Sequence, residues 1–183
     1  MPSDSHKRDR APGVIEVGYL HPGEERAAVE LFAAVAAERR WIGTEPPVDI
    51  DGRTAGLVGS LAVGQQTMIV ARARGRIVGT LSLYRAADHV PETIWLGMLV
   101  AADCRGAGVG SALVTFAVDH ARKAGYRAIG LEVFPHNEAA RRLYRSFGFV
   151  ERESLVAHLL RADGTRWDII RCQLSLVADE SGS

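Results

Sequence analysis

The chain reads as an α/β domain built on one mixed sheet of about seven strands with four helices. Three observations carry that reading. The run Ile94 to Val100 is strand-like, Gly110 to Ala124 places apolar residues at helical spacing, and Ala128 to Phe134 is strand-like again. A strand, a crossover helix and a second strand form a right-handed unit with a central parallel pair. Ahead of that unit, Thr67 to Ala71 and Ile77 to Tyr84 flank Arg74-Gly75, and behind it two runs flank Ala162-Asp163-Gly164-Thr165. Both are signatures of antiparallel hairpins, so the N-terminal part of the sheet is expected to be antiparallel.

In chain order, residues 1–13 are polar with two prolines and too little apolar surface to offset ordering entropy, so a disordered tail is expected. Val14 to Leu20 is rich in β-branched and aromatic residues and predicts the first strand. From Glu24 to about Arg40, Ala28, Leu31, Phe32, Val35 and Ala36 recur on one helical face. Trp41 to Pro47 cannot continue that helix, because its prolines lack donors and restrict the residues before them. Arg53 to Val63 predicts a short second helix, weakened by Gly56 and Gly59. The hairpin 67–84 and the strand from Glu92 to Val100 follow. The third helix closes at Arg122, Lys123 and Gly125. Pro135 stops the next strand, Asn137 caps a helix that Gly148 terminates, and strands at Val150 to Leu160 and Arg166 to Leu176 finish the sheet. Residues 14–176 thus form one domain, with 177–183 frayed; a chain of 183 residues should bury about 70% of its unfolded surface without staples.

Composition excludes several classes. With 22 basic against 22 acidic residues, nothing in the net charge points to nucleic acid or an anionic membrane. No apolar stretch is long enough to span a bilayer, and no signal-peptide pattern follows His6-Lys7-Arg8. Cys104 and Cys172 are too few and too far apart for a disulfide framework or a metal cluster. Two buried thiols, no metal site and a reducing cytoplasm are the expectations. The oligomeric state is open, a homodimer included.

The turn between strand and third helix carries most of the functional information. Arg105-Gly106-Ala107-Gly108-Val109-Gly110 sits where unpaired amides and the positive end of a helix dipole meet, a cradle for phosphate. Its glycine spacing does not fit G-x-G-x-x-G, and no lysine follows Gly110 as a Walker loop requires, so neither nucleotide motif applies. The pattern Arg105-x-x-Gly108-x-Gly110 resembles the acyl-CoA pyrophosphate loop of the GNAT superfamily of N-acetyltransferases. About 30 residues on, Asn137-Glu138-Ala139-Ala140-Arg141-Arg142-Leu143-Tyr144-Arg145-Ser146-Phe147-Gly148-Phe149 is similar to the other hallmark, N-x-x-A-x-x-L-Y-x-x-x-G-F, at every marked position. The element order from Val14 to Leu176 is similar to the GNAT fold.

The resemblance implies an acetyl-CoA-dependent N-acetyltransferase that passes the acetyl group directly to a primary amine. Amides of Arg105, Gly106, Gly108, Val109, Gly110 and Ser111 would hold the pyrophosphate, the glycines making room for it, and the backbone of Met98 and Val100 would pair with the pantetheine arm. Asn137 would touch CoA or do no more than cap its helix. Tyr144 is marked as the general acid for the leaving thiolate, against the alternative of a satisfied core tyrosine. Glu132, twelve residues earlier, is the first choice for the base that deprotonates the ammonium, as in the ribosomal-protein alanine acetyltransferases of the superfamily; Glu45, Glu92 and His136 are the others. Trp41 and Glu45 are expected on the acceptor wall. No cysteine occupies the acid or base position of either motif, which disfavours an acyl-cysteine route. The acceptor is expected to be a small-molecule amine, such as an amino acid, a polyamine, or an amine antibiotic or toxin. A protein N-terminus or lysine, and a non-catalytic acyl-CoA-binding domain, are the alternatives.

Overall fold

The computed structural model describes residues 13–85 and 92–177, so the tails expected at 1–13 and 177–183 lie outside it apart from Gly13 and Val177. The elements are β1 (Glu16–Tyr19), α1 (Glu25–Ala37), α2 (Ile50–Ala62), β2 (Gln66–Ala73), β3 (Arg76–Tyr84), β4 (Thr93–Val100), α3 (Val109–Lys123), β5 (Ala128–Val133), α4 (Glu138–Ser146), β6 (Val150–Leu160) and β7 (Arg166–Ser175). One seven-stranded sheet runs in the order β1-β2-β3-β4-β5-β7-β6. β4 and β5 are parallel, and the other neighbouring pairs are antiparallel. This is the predicted mixed sheet with four helices.

Two boundaries differ from expectation for local reasons. Helix α2 begins at Ile50 rather than Arg53, because the Asp49 carboxylate accepts from the Gly52 amide at 3.0 Å and caps the helix early. Helix α1 stops at Ala37, before a left-handed Arg39 with φ 54° redirects the chain into the Trp41 loop.

The alternation of side chains sorts the sheet into two faces. On one face, Ile69, Leu81 and Leu83 are fully buried with Leu113 and Val114 of α3. Each such side chain contributes about 1.5–3 kcal/mol. Gly79 lies on this face because a Cβ there would come within 2.8 Å of Val109 and 2.9 Å of Leu113, so its bare backbone lets α3 settle on β3. On the other face, Met68 packs with Ala28 and Val29 of α1 and Leu57 of α2. The two cysteines are buried and free.

Candidate active site

The site begins where β4 and β5 part. Their parallel register runs from Thr93↔Ala128 to Leu96↔Leu131 and stops there, although β4 continues to Val100 and β5 to Val133. The Ala101 amide donates to the Val78 carbonyl on the β3 side at 2.9 Å. With antiparallel alternation, the amides and carbonyls of Met98 and Val100 therefore face the gap, as the sequence implied. The Val100 carbonyl already accepts from Arg105 Nε at 3.1 Å.

Beyond the gap, Gly106 and Gly108 adopt φ 74° and 86°, with nothing within 4 Å of where a Cβ would stand. Gly108 is the N-cap of α3 without any side-chain cap, and the first helical bond runs from Ala112 to the Gly108 carbonyl at 3.0 Å. The amides of Val109, Gly110 and Ser111 are left over at the positive end of the helix, a cradle that suits the pyrophosphate of CoA. Val109 can offer only its amide, since its side chain is buried against Gly79. Gly110 differs from its expected role: a Cβ there would stand 2.9 Å from Leu143 Cδ2 and 3.5 Å from Met98 Cε, so its small size lets α4 and β4 close on α3. Arg105 also differs from a free phosphate ligand. Its guanidinium makes two bonds to Glu38, at 2.7 and 2.5 Å, with the Trp41 ring 5.4 Å away.

A cavity of about 1140 Å³ runs from this cradle through the gap to α1 and α2. Asn137 and Tyr144 line its donor side. Asn137 Oδ1 caps α4 by accepting from the Ala140 amide at 3.2 Å, and its amide group remains to face a ligand. Tyr144 is 6% exposed, and burial pushes its phenol well above the usual value, so it stays protonated.

Glu132 lines the opposite side. It shares a sheet face with Gly130, which meets the Trp95 ring, and with Tyr84, the register partner of Trp95. Arg171 Nε donates to its Oε1 at 2.9 Å. Tyr84 also lines the cavity, and its phenol is pushed up by burial and by the Glu132 charge. The other base candidates are spent elsewhere: Glu92 pairs with Arg127 at 3.2 Å, and His136 Nε2 donates to the Arg40 carbonyl at 2.8 Å. Neither lines the cavity.

Trp41 does line it, as expected, with its indole donating to Glu38 at 2.6 Å. Glu45 is the correction. It accepts from the Ala162 amide at 2.7 Å and pairs at 2.9 Å with Arg161, which is 4% exposed. Arg161 donates to the Gly43 and Ile42 carbonyls at 2.9 and 3.3 Å and lies 4.2 Å over Trp167. A lone charge in the sequence is thus half of a strut that ties the loop to the β6–β7 hairpin, outside the cavity wall.

Sequence reasoning missed Phe32, Arg53, Gln66, Ser82 and Tyr84, which also line the cavity. Strand alternation would have put Gln66, Ser82 and Tyr84 on one face, but only the register Gln66↔Tyr84 and Met68↔Ser82 brings them together. Both thiols are held protonated. Burial pushes Cys172 up to about 11 and raises Cys104, helped by Asp103. Neither is prepared to act as a nucleophile.

The comparisons agree with this geometry. The model of the acetyltransferase (GNAT) family matches residues 36–149. The "Probable N-acetyltransferase camello" of Xenopus laevis is 40% identical over 81 residues, 44% of this chain and 35% of that protein, so the match spans about a third of the relative's length. The L-amino acid N-acyltransferase MnaT of Escherichia coli is 26% identical over 138 residues, 74% of this chain and 80% of its own. The structure of yncA from Salmonella typhimurium with acetyl-CoA superposes with a TM-score of 0.79 at 22% identity, over 92% of this chain and 98% of that one. No helix among the described residues is long and apolar enough to cross a membrane. A cradle of open amides, a parted strand pair and a family model over more than half of the sequence lead to one conclusion: the chain belongs to the acetyltransferase (GNAT) family.

Proposed function

We propose that this domain transfers the acetyl group of acetyl-CoA directly to the primary amine of a small molecule. The observation that carries the reading is one continuous cavity through the β4/β5 gap, with Tyr144 on one side and Glu132 on the other. The amine nitrogen bonds to the thioester carbonyl carbon, the carbon–sulfur bond breaks, and the acetylated amine and CoA thiol are the products. An alkyl ammonium has a pKa near 10, so the acceptor must lose a proton first, and we assign that step to Glu132, whose lining of the cavity supports the assignment. Tyr144 acts on the sulfur. A phenol raised by burial is a weaker acid than a thiol, so it steadies the leaving thiolate by hydrogen bonding; the attacking nitrogen sheds a second proton as the amide forms, which balances the product thiol, and the proton taken by Glu132 passes to solvent.

The backbone of Met98 and Val100, the amides of Arg105 to Ser111 and the Asn137 amide hold the donor. Trp41, pinned with its loop by Arg161, walls off the acceptor end, which favours a small molecule over a protein segment. Thiol release with acetyl-CoA and a panel of amino acids, polyamines and peptide N-termini tests this reading. Release with a small amine and intersecting initial-rate lines are expected. Parallel lines would overturn direct transfer, and CoA binding without release by any amine would leave a non-catalytic domain.

A further inference from the structure

Among the described residues three charged side chains line the cavity, and two of them are already neutralised: Arg105 by Glu38 and Glu132 by Arg171. The third is Arg53, in the first turns of α2. Its guanidinium carbon lies 3.6 Å from the centre of the Phe32 ring, with no ion pair or side-chain hydrogen bond among the described residues. Partial desolvation lowers its pKa although the residue stays exposed, and Asp49 and Asp51, on the same helix turn, are both engaged elsewhere. Asp49 is used by the Gly52 amide, and Asp51 pairs with Arg26 at 2.7 Å.

An arginine whose face is covered by an aromatic ring keeps its N–H edge free, and that planar fork matches a carboxylate. Among the described residues the neighbouring wall is neutral, with Gln66, Ser82, Tyr84 and Met68. A polycation would meet an uncompensated positive charge here, whereas an anion on the acceptor would supply the missing partner. We propose that Arg53, stacked on Phe32, binds a carboxylate on the acceptor, so that the substrate class is an amino carboxylate with an amine to acetylate and a carboxylate to anchor it. This rests on the transferase reading above and narrows its acceptor.

The experiment compares matched pairs, α- and ω-amino acids against their own carboxamides, with spermidine as the cationic control. Thiol release gives kcat/KM for the wild type, Arg53→Ala and Arg53→Lys. At least one amino acid should exceed its amide by about tenfold or more, as a charge-assisted pair warrants, mainly through KM. Arg53→Ala should collapse that ratio to near unity, and Arg53→Lys should retain part of it. A wild-type ratio near one for every pair, a preference for spermidine, or a ratio unchanged in Arg53→Ala overturns the proposal while leaving the transferase standing. Silence of every amine removes both. A second readout is independent of turnover. In CoA-saturated protein the preferred amino acid should raise the melting temperature and its amide should not, a difference absent from Arg53→Ala.

Discussion

The donor and acceptor halves of the cavity are made of different material. The donor half is backbone: left-handed glycines, leftover α3 amides and the unpaired edge of β4. The acceptor half is side chains from α1, α2, β2, β3 and β5, held by a loop that Arg161 ties to a distant hairpin. Backbone geometry is dictated by a few contiguous residues, so the donor half is rigid and readable. Side chains converge only through sheet register, so the acceptor half is free to vary and, on the proposed function, would set what is acetylated.

The sharpest break in that contrast comes from Gly108→Val. The position has φ 86° and open space where a Cβ would stand, so a branched residue strains the backbone, at about 1–3 kcal/mol, and fills the cradle. Acetyl-CoA affinity should fall by about a hundredfold or more in a protein that still folds by circular dichroism. Normal affinity by calorimetry would show that the donor half is not built on this turn. Tyr144→Phe tests the same half at its reactive end. It should lower kcat by about a hundredfold, at the low end for removing one hydrogen-bond donor from a developing anion, with little change in acetyl-CoA binding. Equal turnover would remove Tyr144 from the chemistry.

What could be read in advance follows the same division. The glycine turn, the Asn137 cap and the parallel crossover are contiguous, and the structure has each where expected. Glu45 could not be read, because its partner Arg161 lies 116 residues away and meets it only after the β6–β7 hairpin folds back over the loop. Arg53 was hidden for a similar reason. Within a glycine-containing segment it is an ordinary helical arginine, and only the packing of α2 on α1 sets it over Phe32. Gly110 was legible as a small residue but not as a contact point, since Leu143 comes from the next helix.

Arg161→Ala probes how far the acceptor half depends on its strut. Removing a buried cation strands Glu45 and three carbonyls, a loss of about 3 kcal/mol, or a melting temperature lower by about 6–12 °C. With the Trp41 loop released, KM for the amine should rise several-fold while KM for acetyl-CoA holds. A rise in both would mean that the two halves are not separable.

The smallest effect lies outside the cavity lining, where Glu24 at the start of α1 is held by Arg72 of β2, with Nε donating to Oε1 at 2.9 Å. That guanidinium, and then the His21 amide, hold the Glu24 carboxyl down at about 2, from an ordinary value of 4.5. Because the folded-state value is depressed, the pair contributes its full stability above pH 4.5 and loses it as pH falls from there toward 2. Solvent screening at a partly exposed site holds the contribution to about 1–2 kcal/mol. Urea midpoints of the wild type and Glu24→Gln should therefore differ by that amount at pH 7 and draw together between pH 5 and 3. A gap that stays constant over this range would show that Glu24 contributes by packing and hydrogen bonding that do not depend on its charge, and that acid does not loosen α1 from β2 at this corner.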